Sequence, residues 1–599
     1  MQSETRPGVR SLQPIALGLT AALAATAGVA FGPATAAVHK SAAHGAAAHG
    51  TPAYLAAATD CPGDNGGISL SPGFCATVFA DDLGHARHMA FGPGGVLFVN
   101  TWSGRYYGNG PVPAGGFLIA LKDTTGAGKA DQVTRFGTTA AEGNKGGTGV
   151  QVYKGYVYAE ANDKIVRYRL GADGVPAGQP ETVLSGMPLS GDHPMHPFVI
   201  DAQGRIFVDM GSATNACQAR NRQPGAPGEQ PCTETQTRAG VWLYDANKLG
   251  QQFSSKERYA SGIRNGEGFS FDPTGRLFVA QQGRDQLPQN WPKLYPNLVH
   301  ATELPAEEVV EVIHGDDYGW PQCYYDQFQK KLVLAPEYGG DGGKTVGGCA
   351  MRTGPVAAFP GHWAPNDMTI YKGATFPEPY RGGAFIAFHG SWNRAPEPQQ
   401  GYDVVYQPMA NGKAVGRYIV FANGFAGGHM DPGGAAHRPS GVVVGPDGAL
   451  YISDDVRGRI WRVTYQGPAT VSAIAAAPSP AAGVETAAPP AGPPEYSLPV
   501  PPGATQAQVQ AGERVYRTTT CTGCHGADAK GTPLGPDLVA GKWIWSRGSL
   551  TGIRRTIQNG VPMPRNYRSP MPPMGGAQLS KADLNDVAAY VWALAHQPK

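Results

Sequence analysis

The sequence predicts a mainly β protein, a six-bladed β-propeller, followed by a small all-α domain. Three features indicate this: a hairpin pattern that recurs six times, a proline-rich stretch that interrupts it, and helical periodicity towards the C-terminus. The 599 residues exceed one ordinary domain, and the 84 glycines and 53 prolines are typical of a β-rich protein with many turns.

The repeated pattern is an apolar run, a glycine-bearing turn and a second apolar run, as in a β-hairpin. The clear copies are MAFGPGGVLFVN (89–100), FVIDAQGRIFVDMG (198–211), FSFDPTGRLFVAQQG (269–283) and VVVGPDGALYISDD (442–455). The weaker copies are VQVYKGYVYAEAND (150–163) and MTIYKGATFPEPYRGGAFIAFHG (368–390). Six hairpins predict six blades over residues 60–466. A β-sandwich with chance hairpins is the alternative, but the copies share too much of their core sequence to favour it.

A proline- and alanine-rich linker is predicted over residues 467–504. Ten of the residues in 467–502 are proline, which removes backbone donors and favours an extended, semi-rigid tether. Residues 505–599 then have helical patterns on both sides of the stretch CTGCHG (521–526), in which two cysteines three apart precede a histidine. This is the pattern of a small cytochrome c domain. Ser580 and Asp583 form a capping-box variant at the start of the last helix. Its predicted apolar face contains Leu584, Val587, Tyr590, Val591 and Leu594.

Residues 1–36 read as an export signal. Arg6 and Arg10 precede an apolar, alanine-rich run, and small residues at 34–36 permit cleavage before Ala37. An uncleaved membrane anchor is the alternative. No other stretch is long and apolar enough to span a membrane, so we expect no stable span after cleavage and a periplasmic location. The net charge of +2 argues against nucleic-acid binding.

Six of the eight cysteines form three local pairs in the sequence. The pairs Cys61/Cys75, Cys217/Cys232 and Cys323/Cys349 would form disulfides in an oxidising compartment. Six cysteines allow 15 connectivities, so local pairing is one choice among several, and free buried thiols are the alternative.

The remaining two cysteines belong to the stretch CTGCHG, residues 521–526, which fixes a c-type haem. Cys521 and Cys524 would bind the porphyrin covalently, and His525 would ligate the iron. A methionine as sixth ligand would raise the reduction potential, and Met571 is the favoured candidate. The alternatives are Met574, Met563 and His596.

Polar residues recur in the loops that precede or follow the repeated hairpins. Arginines are present at equivalent edges of several repeats, which favours a small polyanion bound at one mouth of the propeller. The candidates are Arg264, Arg284, Arg394 and Arg438, with Asn265, Gln282, Gly283 and Asp455 beside them and His193 and His196 before the second clear repeat.

Over residues 75–465 the chain resembles the soluble quinoprotein sugar dehydrogenases, most closely their sorbosone dehydrogenase-like branch. The resemblance is carried by RN at 264–265, DDYGWPQC at 316–323, HGSWNR at 389–394 and RPSGVVVGPDGALYISDD at 438–455. It implies the cofactor pyrroloquinoline quinone (PQQ), a tricarboxylate that suits the arginines.

The resemblance also implies roles for individual residues. His193 would be the general base, with His196 as the other candidate. Arg264 and Asn265 match the quinone-binding pair, and Gln282 matches a residue at the quinone edge. The backbone carbonyls of Gly283 and Arg284 would bind Ca²⁺. Arg438 would clamp the cofactor, and Asp455 would lie near the base or the cofactor. Arg394 would take the place of a lysine that the family has near the cofactor.

These expectations combine into a periplasmic PQQ-dependent dehydrogenase for a sugar or sugar-derived aldehyde of the sorbosone or aldose class. Its electrons would pass through the haem to a downstream cytochrome or terminal oxidase. The alternative is a non-enzymatic propeller that binds a partner or glycan, fused to an electron-carrier cytochrome. A calcium-dependent lactonase-type propeller is a third reading, but a hydrolase has no use for a haem.

Overall fold

The structure is a computed structural model. It describes residues 61–101, 114–137, 147–394, 397–428, 430, 435–468, 470–471, 473–478, 498–519, 521–526, 529–531, 535–561, 564–565, 571, 573–576 and 579–597. The predicted export signal and Met563 lie outside these residues, as does most of the predicted linker. No helix in the described part of the chain has the length and apolar character needed to cross a membrane.

Six antiparallel sheets of four or five strands form a six-bladed β-propeller. Blade 1 contains Ala86–Phe91, Leu97–Thr101, Leu118–Lys122 and Gln132–Phe136; blade 2 Val150–Tyr153, Tyr156–Ala161, Lys164–Leu170, Pro176–Ser185 and the parallel Gln251–Gln252; blade 3 Phe198–Ile200, Arg205–Met210, Gly240–Asp245 and Arg258–Ser261; blade 4 Gly266–Phe271, Leu277–Gln281, Glu307–Glu311 and Ala357–Phe359; blade 5 Pro365–Ile370, Ala384–His389, Tyr402–Gln407, Ile419–Asn423 and Ser69–Leu70; and blade 6 Pro439–Val444, Leu450–Asp454, Ile460–Tyr465 and Phe74–Ala80.

The six predicted hairpins are confirmed as the two inner strands of the six blades. The first strand of each blade contacts the first strand of the next, so these strands close a ring around the central axis. Residues just before a first strand and just after a second strand therefore lie at the same end of the ring. This end, which we call the mouth, holds most of the predicted quinone-site residues.

The ring is closed by a strand from the start of the propeller. Phe74–Ala80 pairs with Ile460–Tyr465 as the outer strand of blade 6, with Ala76 opposite Val463. Neighbouring blades bury apolar side chains between them, including the fully buried Trp461 and Trp242. Burying a large apolar side chain contributes about 1.5–3 kcal/mol, so these interfaces hold the ring together.

The three predicted disulfides are confirmed. Cys61 bonds Cys75, Cys217 bonds Cys232, and Cys323 bonds Cys349. Two small hairpins lie outside the blades, Cys323–Asp326 with Lys331–Leu334 and Met409–Ala410 with Lys413–Ala414.

Six α-helices occur in the described residues, and four belong to the C-terminal domain. They are α1 (Leu287–Asn290), α2 (Leu298–Ala301), α3 (Gln506–Thr518), α4 (Cys521–His525), α5 (Leu550–Asn559) and α6 (Lys581–Ala595). Short 3-10 turns are Asn65–Gly67, Pro93–Gly95, Thr233–Gln236, Ser255–Glu257, Pro336–Tyr338, Gly347–Met351, Glu378–Tyr380 and Pro573–Gly576.

Helices α3 and α6 cross at close range. A Cβ on Gly512 would stand 1.9 Å from the backbone oxygen of Asp586, so the crossing requires glycine at this position. The predicted capping box of α6 is confirmed, because Ser580 and Asp583 each bond the other's backbone N–H. The five residues of its predicted apolar face are all buried. The C-terminal domain is therefore all-α, as predicted.

Candidate active site and haem cavity

His193 lies at the mouth, in the loop that enters blade 3. Its Nδ1 is 2.9 Å from the backbone oxygen of Ser212 and 3.0 Å from Ser212 Oγ. Because a carbonyl only accepts, Nδ1 carries the proton and Nε2 keeps its lone pair. Burial, aided by the charge of Arg264, lowers the pKa of His193 to about 3, so the imidazole is neutral at physiological pH. The ring therefore presents an unprotonated Nε2 to the mouth, although burial and the charge of Arg264 reduce its basicity.

The other candidate base, His196, is enclosed in the fold. It is fully buried, and its Nε2 donates to the backbone oxygen of Pro188 at 3.0 Å. Its Nδ1 lies 3.4 Å from a Glu160 carboxylate oxygen but makes no hydrogen bond within the described residues. Because the ring is enclosed and Nε2 is committed to Pro188, His193 is better placed than His196 to meet a substrate.

Arg264 and Asn265 immediately precede the first strand of blade 4. The Arg264 guanidinium donates to Asn215 through its backbone oxygen at 3.1 Å and its Oδ1 at 2.9 Å, to the backbone oxygen of Gly283 at 2.8 Å, and to Asp285 at 3.1 Å. Asn265 donates from Nδ2 to Glu267 at 3.1 Å. Gln282 joins the pair, since its N–H donates to the Asn265 carbonyl at 3.0 Å. The three predicted residues therefore form one connected group.

Asp285, which the sequence did not single out, is the electrostatic centre of the mouth. Its carboxylate accepts from Arg222 at 3.0 Å, from Arg264 at 3.1 Å and from Asn393 at 2.8 Å. Although burial opposes ionisation, the charges of Arg222 and Arg264 hold its pKa well below its usual range. The two guanidinium groups are thereby fixed in place.

Arg222 is a second residue that sequence reasoning missed. It bridges Asp285 and Asp192, the residue before His193, with an Nη2–Oδ2 distance of 2.9 Å to Asp192. Its guanidinium lies 5.9 Å from the centre of the Trp392 ring. Arg222 belongs to an insertion within blade 3 that the Cys217–Cys232 disulfide closes. The sequence feature that could have drawn attention to Arg222 is the long polar insertion between Cys217 and Cys232.

Arg438 and Asp455 flank the inner hairpin of blade 6. Arg438 donates to the backbone oxygens of His389 at 2.8 Å and Gly390 at 3.0 Å. Asp455 accepts from Arg87 and from His389 Nε2, each at 2.8 Å, and His389 and Arg87 keep its pKa far below normal despite burial. The two predicted residues are brought together through His389.

The two remaining predicted arginines turn towards the protein. Arg284 forms a buried pair with Glu337 at 2.5 Å. Arg394 donates to the backbone oxygens of Thr302 at 3.2 Å and Gly361 at 2.9 Å and pairs with Glu303 at 2.5 Å. Their side chains are therefore committed to packing the loops behind the mouth.

Cys521, Cys524, His525 and Met571 line one cavity in the C-terminal domain. The cavity is otherwise mostly apolar, with Trp543, Ile553, Ile557, Val587 and Val591 among its walls. His525 Nδ1 is 3.0 Å from the Pro536 carbonyl, so Nδ1 donates and Nε2 faces away as an iron ligand requires.

The alternatives to Met571 are placed differently. Met571 is held by a two-way backbone bridge to Val561, with N–O distances of 2.7 and 3.1 Å. Met574 does not line the cavity. His596 stacks on Trp592 at a ring-centroid distance of 3.8 Å, outside the cavity. The geometry thus favours Met571.

Comparison with known proteins agrees with this two-part architecture. Residues 68–466 match the TrAA12-like family, and residues 509–595 match the cytochrome c family. The fold and these two matches define the class as a TrAA12-like propeller fused to a cytochrome c domain. Because the first match covers most of the chain, the protein belongs to the TrAA12-like family.

Individual relatives match one part each. A pyrroloquinoline quinone-dependent pyranose dehydrogenase of Coprinopsis cinerea is 26% identical over 267 residues, 37% of this chain and 34% of the relative. The FixP subunit of a cbb3-type cytochrome c oxidase of Rhizobium etli is 37% identical over 81 residues, 13% of this chain and 28% of the relative. The chain spans about half or less of the curated relatives that it matches.

Solved structures share the propeller fold. The calcium structure of a Trichoderma reesei family AA12 enzyme matches with a TM-score of 0.52 and 19% identity, covering 67% of this chain and 97% of that chain. The holo form of the pyranose dehydrogenase PQQ domain from Coprinopsis cinerea matches with a TM-score of 0.51 and 19% identity, covering 68% and 99%.

The residues at the mouth fit a carboxylated quinone. Guanidinium and amide groups surround the mouth, and one buried side-chain oxygen there, Asn393 Oδ1, has no hydrogen-bond partner among the described residues. Such an atom is stabilised by a donor on a ligand or by water. The fit to calcium is poorer, because the Gly283 carbonyl already accepts from Arg264. No group of three or more His, Cys, Asp or Glu side chains in the described ranges is arranged to hold a metal ion.

Proposed function

We propose that this protein is a PQQ-dependent dehydrogenase that oxidises a sugar or sugar-derived aldehyde and delivers the electrons to its own c-type haem. The observation that carries the proposal is His193, a buried neutral imidazole with a free Nε2, beside the Arg264–Asn265–Gln282 group. Membership of the TrAA12-like family supports the same chemistry.

Bound PQQ would supply a two-electron acceptor for the hydrogen of a substrate C–H bond. His193 would take the hydroxyl proton of the substrate at Nε2, while Ser212 holds Nδ1. The low pKa of His193 means that the base needs no prior deprotonation at neutral pH. Arg264, Asn265 and Gln282 would hold the cofactor, with Asp285 keeping Arg264 in position.

Arg438 and Asp455 would contribute from the other side of the mouth, on blade 6. Arg438 is anchored on two backbone oxygens and lies over Tyr402, which fixes the direction of its positive charge. Calcium at the Gly283 and Arg284 carbonyls would lie beside the Arg264 guanidinium, whose N–H the Gly283 carbonyl accepts. Because the two positive charges would repel, we expect calcium to bind only together with the anionic cofactor.

The haem would relay single electrons from the mouth to an outside acceptor. Cys524 would hold this haem covalently on the wall of the cavity that His525 and Met571 also line. The downstream acceptor would be a cytochrome or terminal oxidase, in line with the FixP-like match of this domain.

A periplasmic location is part of the proposal. Three disulfides require an oxidising compartment, and covalent haem attachment is compatible with it. The sorbosone and aldose classes are the proposed substrates.

The test is stopped-flow absorbance of the haem band in the full chain loaded with PQQ and calcium. Sorbosone, aldoses and pyranoses are added one at a time, and at least one should reduce the haem. The protein without PQQ is the control and should show no reduction. If no sugar or aldehyde reduces the haem of the loaded protein although dithionite does, the propeller is a binding module and the cytochrome an independent carrier.

A further inference from the structure

Two buried side-chain oxygen atoms, one of them on Asn265 itself, border one small space and accept no hydrogen bond from the described residues. They are Asp209 Oδ2 and Asn265 Oδ1, on side chains that are 0% and 1% exposed. Both crowd the space beside Gly211, where an added Cβ would stand 2.8 Å from Asn265 Oδ1 and 3.2 Å from Asp209 Oδ2. Glycine at 211 leaves this space to the two oxygens.

The orientation of both groups is fixed by their other contacts. Asn265 must present Oδ1 here because its Nδ2 donates to Glu267 at 3.1 Å. Asp209 uses Oδ1 to accept from the Gly266 N–H at 3.1 Å, which leaves Oδ2 for the shared space. Two acceptors held together repel unless a proton or a cation lies between them.

The surrounding charges favour a proton. Burial and the carboxylate of Glu267 raise the pKa of Asp209 well above its ordinary value, and Glu160 adds to the effect. Arg238 opposes it, but its guanidinium is directed to the backbone oxygens of Gly211 and Pro188. His193 is the other titratable group here, since its Cβ also borders the space beside Gly211.

A cation is the less suitable occupant. One carboxylate oxygen and one amide oxygen are the polar atoms found next to the space, and the described residues contain no metal-binding group of three or more His, Cys, Asp or Glu. A proton satisfies both orphaned oxygens at once, because a carboxylic acid donates through one oxygen and the amide oxygen accepts.

We propose that Asp209 is protonated at neutral pH and donates Oδ2–H to Asn265 Oδ1, which makes it a positioning residue for the cofactor-binding pair. The proton would hold the oxygen of the Asn265 amide, while Glu267 holds its nitrogen. The positioning role rests on the proposed function, whereas the protonation state does not and is measured on protein without PQQ.

The first experiment follows unfolding of the PQQ-free full chain and of D209N by denaturant from pH 5 to 8. In the unfolded wild type Asp209 ionises above about pH 4, so the folded state binds one proton more and its stability falls as pH rises. The amide introduced by the D209N substitution cannot ionise but keeps a donor.

The stability advantage of D209N over wild type should therefore grow with pH, approaching a tenfold change in the unfolding equilibrium per pH unit. The matched control is D201N in the same blade, which removes a carboxylate that accepts from Arg205. Its stability difference should show no such rise. A D209N difference that is independent of pH would overturn the proposal.

Infrared spectroscopy of the PQQ-free protein gives an independent measurement. Other buried carboxyls such as Glu307 and Glu308 also have raised pKa values, so the comparison uses difference spectra. The wild type minus D209N difference should contain the band of one buried protonated carboxyl, and the wild type minus D201N difference should not. Calcium titration tests whether a cation, instead of a proton, lies between Asp209 and Asn265. Stabilisation of wild type but not D209N by calcium, without PQQ, would show an ion-binding carboxylate and overturn the proposal.

The positioning role is tested by equilibrium binding of PQQ. D209N should bind within about threefold of wild type, whereas D209L, which offers no donor, should bind at least tenfold more weakly. Equal binding by a folded D209L would overturn the positioning role. If wild type itself binds no PQQ, the proposed function fails, while the infrared and unfolding results still decide the protonation of Asp209.

Discussion

The haem cavity and the propeller mouth are built in opposite ways. Three of the four candidate haem ligands or attachment points fall within Cys521–His525, a single short helix. The mouth takes its groups from several blades, so that Asp285 meets Arg222 63 residues before it and Asn393 108 residues after it. Local sequence therefore encodes the haem site, whereas only closure of the ring creates the mouth.

The two sites also differ in polarity. The haem cavity has mostly apolar walls, so burial governs its titratable groups and raises the pKa of Cys524. At the mouth the acidic and basic groups neutralise each other in pairs, as Asp285 does with Arg222 and Arg264. A substitution in the cavity is thus expected to act on one group, and a substitution at the mouth on a network.

The largest effect is expected from removal of both haem cysteines. C521S/C524S should abolish covalent haem, because no other described residues offer the motif, while the propeller should still reduce a soluble dye with substrate. Haem-stained denaturing gels and dye assays measure the two properties separately. Covalent haem in the double variant would contradict the local encoding of this site.

The next largest effect is expected at the base. H193A should lower substrate-dependent haem reduction by about 10²–10⁴-fold, the usual contribution of a positioned general base. Reduction by dithionite should be unchanged, and H314A, a change of an exposed histidine, is the matched control. Native rates in H193A would remove His193 from the mechanism.

A smaller effect is expected at the sixth ligand. M571A should shift the haem reduction equilibrium at least tenfold towards the oxidised form, equivalent to about 59 mV, because a thioether ligand favours reduced iron. M574A lies outside the cavity and should change the potential little. Redox titration of the haem band checks both variants, and equal shifts would leave the ligand unassigned.

The last prediction concerns the acid stability of the propeller, where the change expected from one variant is no larger than about a tenfold shift of the unfolding equilibrium per pH unit. Burial lowers the pKa of His193 to about 3 and those of His362 and His389 to about 4. In the unfolded chain these groups bind protons near pH 6.5, so stability is full above that pH and falls below it.

Each of these histidines should cost about 1.4 kcal/mol per pH unit between pH 6 and 5. Denaturant midpoints at pH 7, 6 and 5 measure the trend. H362Q should weaken the dependence by about one such contribution, while H314Q should not. A slope unchanged in H362Q would mean that His362 titrates normally.

The fold was predictable because the hairpin turns repeat in sequence. The six copies mapped onto the inner strands of all six blades, and the local cysteine pairing matched the three disulfides. Outer strands such as Gln132–Phe136 lack the turn signature, and the sequence did not reveal them.

The site was only partly predictable, for a physical reason. Residues next to repeat edges, such as Arg264 and Asn265, could be placed because the repeats fix their position. Arg394 shares that setting, yet its guanidinium turns inwards to Glu303, a direction that depends on a loop from another part of the chain. Asp285 and Arg222 gain their roles only through partners far away in sequence.

The strand that completes blade 6 has a consequence for biosynthesis. Because Phe74–Ala80 pairs with Ile460–Tyr465, one of the first propeller strands to leave the ribosome can pair only after one of the last has been made. The propeller ring can therefore close only after nearly four hundred further residues have been synthesised. Until then the nascent propeller lacks the outer strand pairing of blade 6. Loss of either end of this span would leave a blade incomplete, whereas deletion of the haem domain would not.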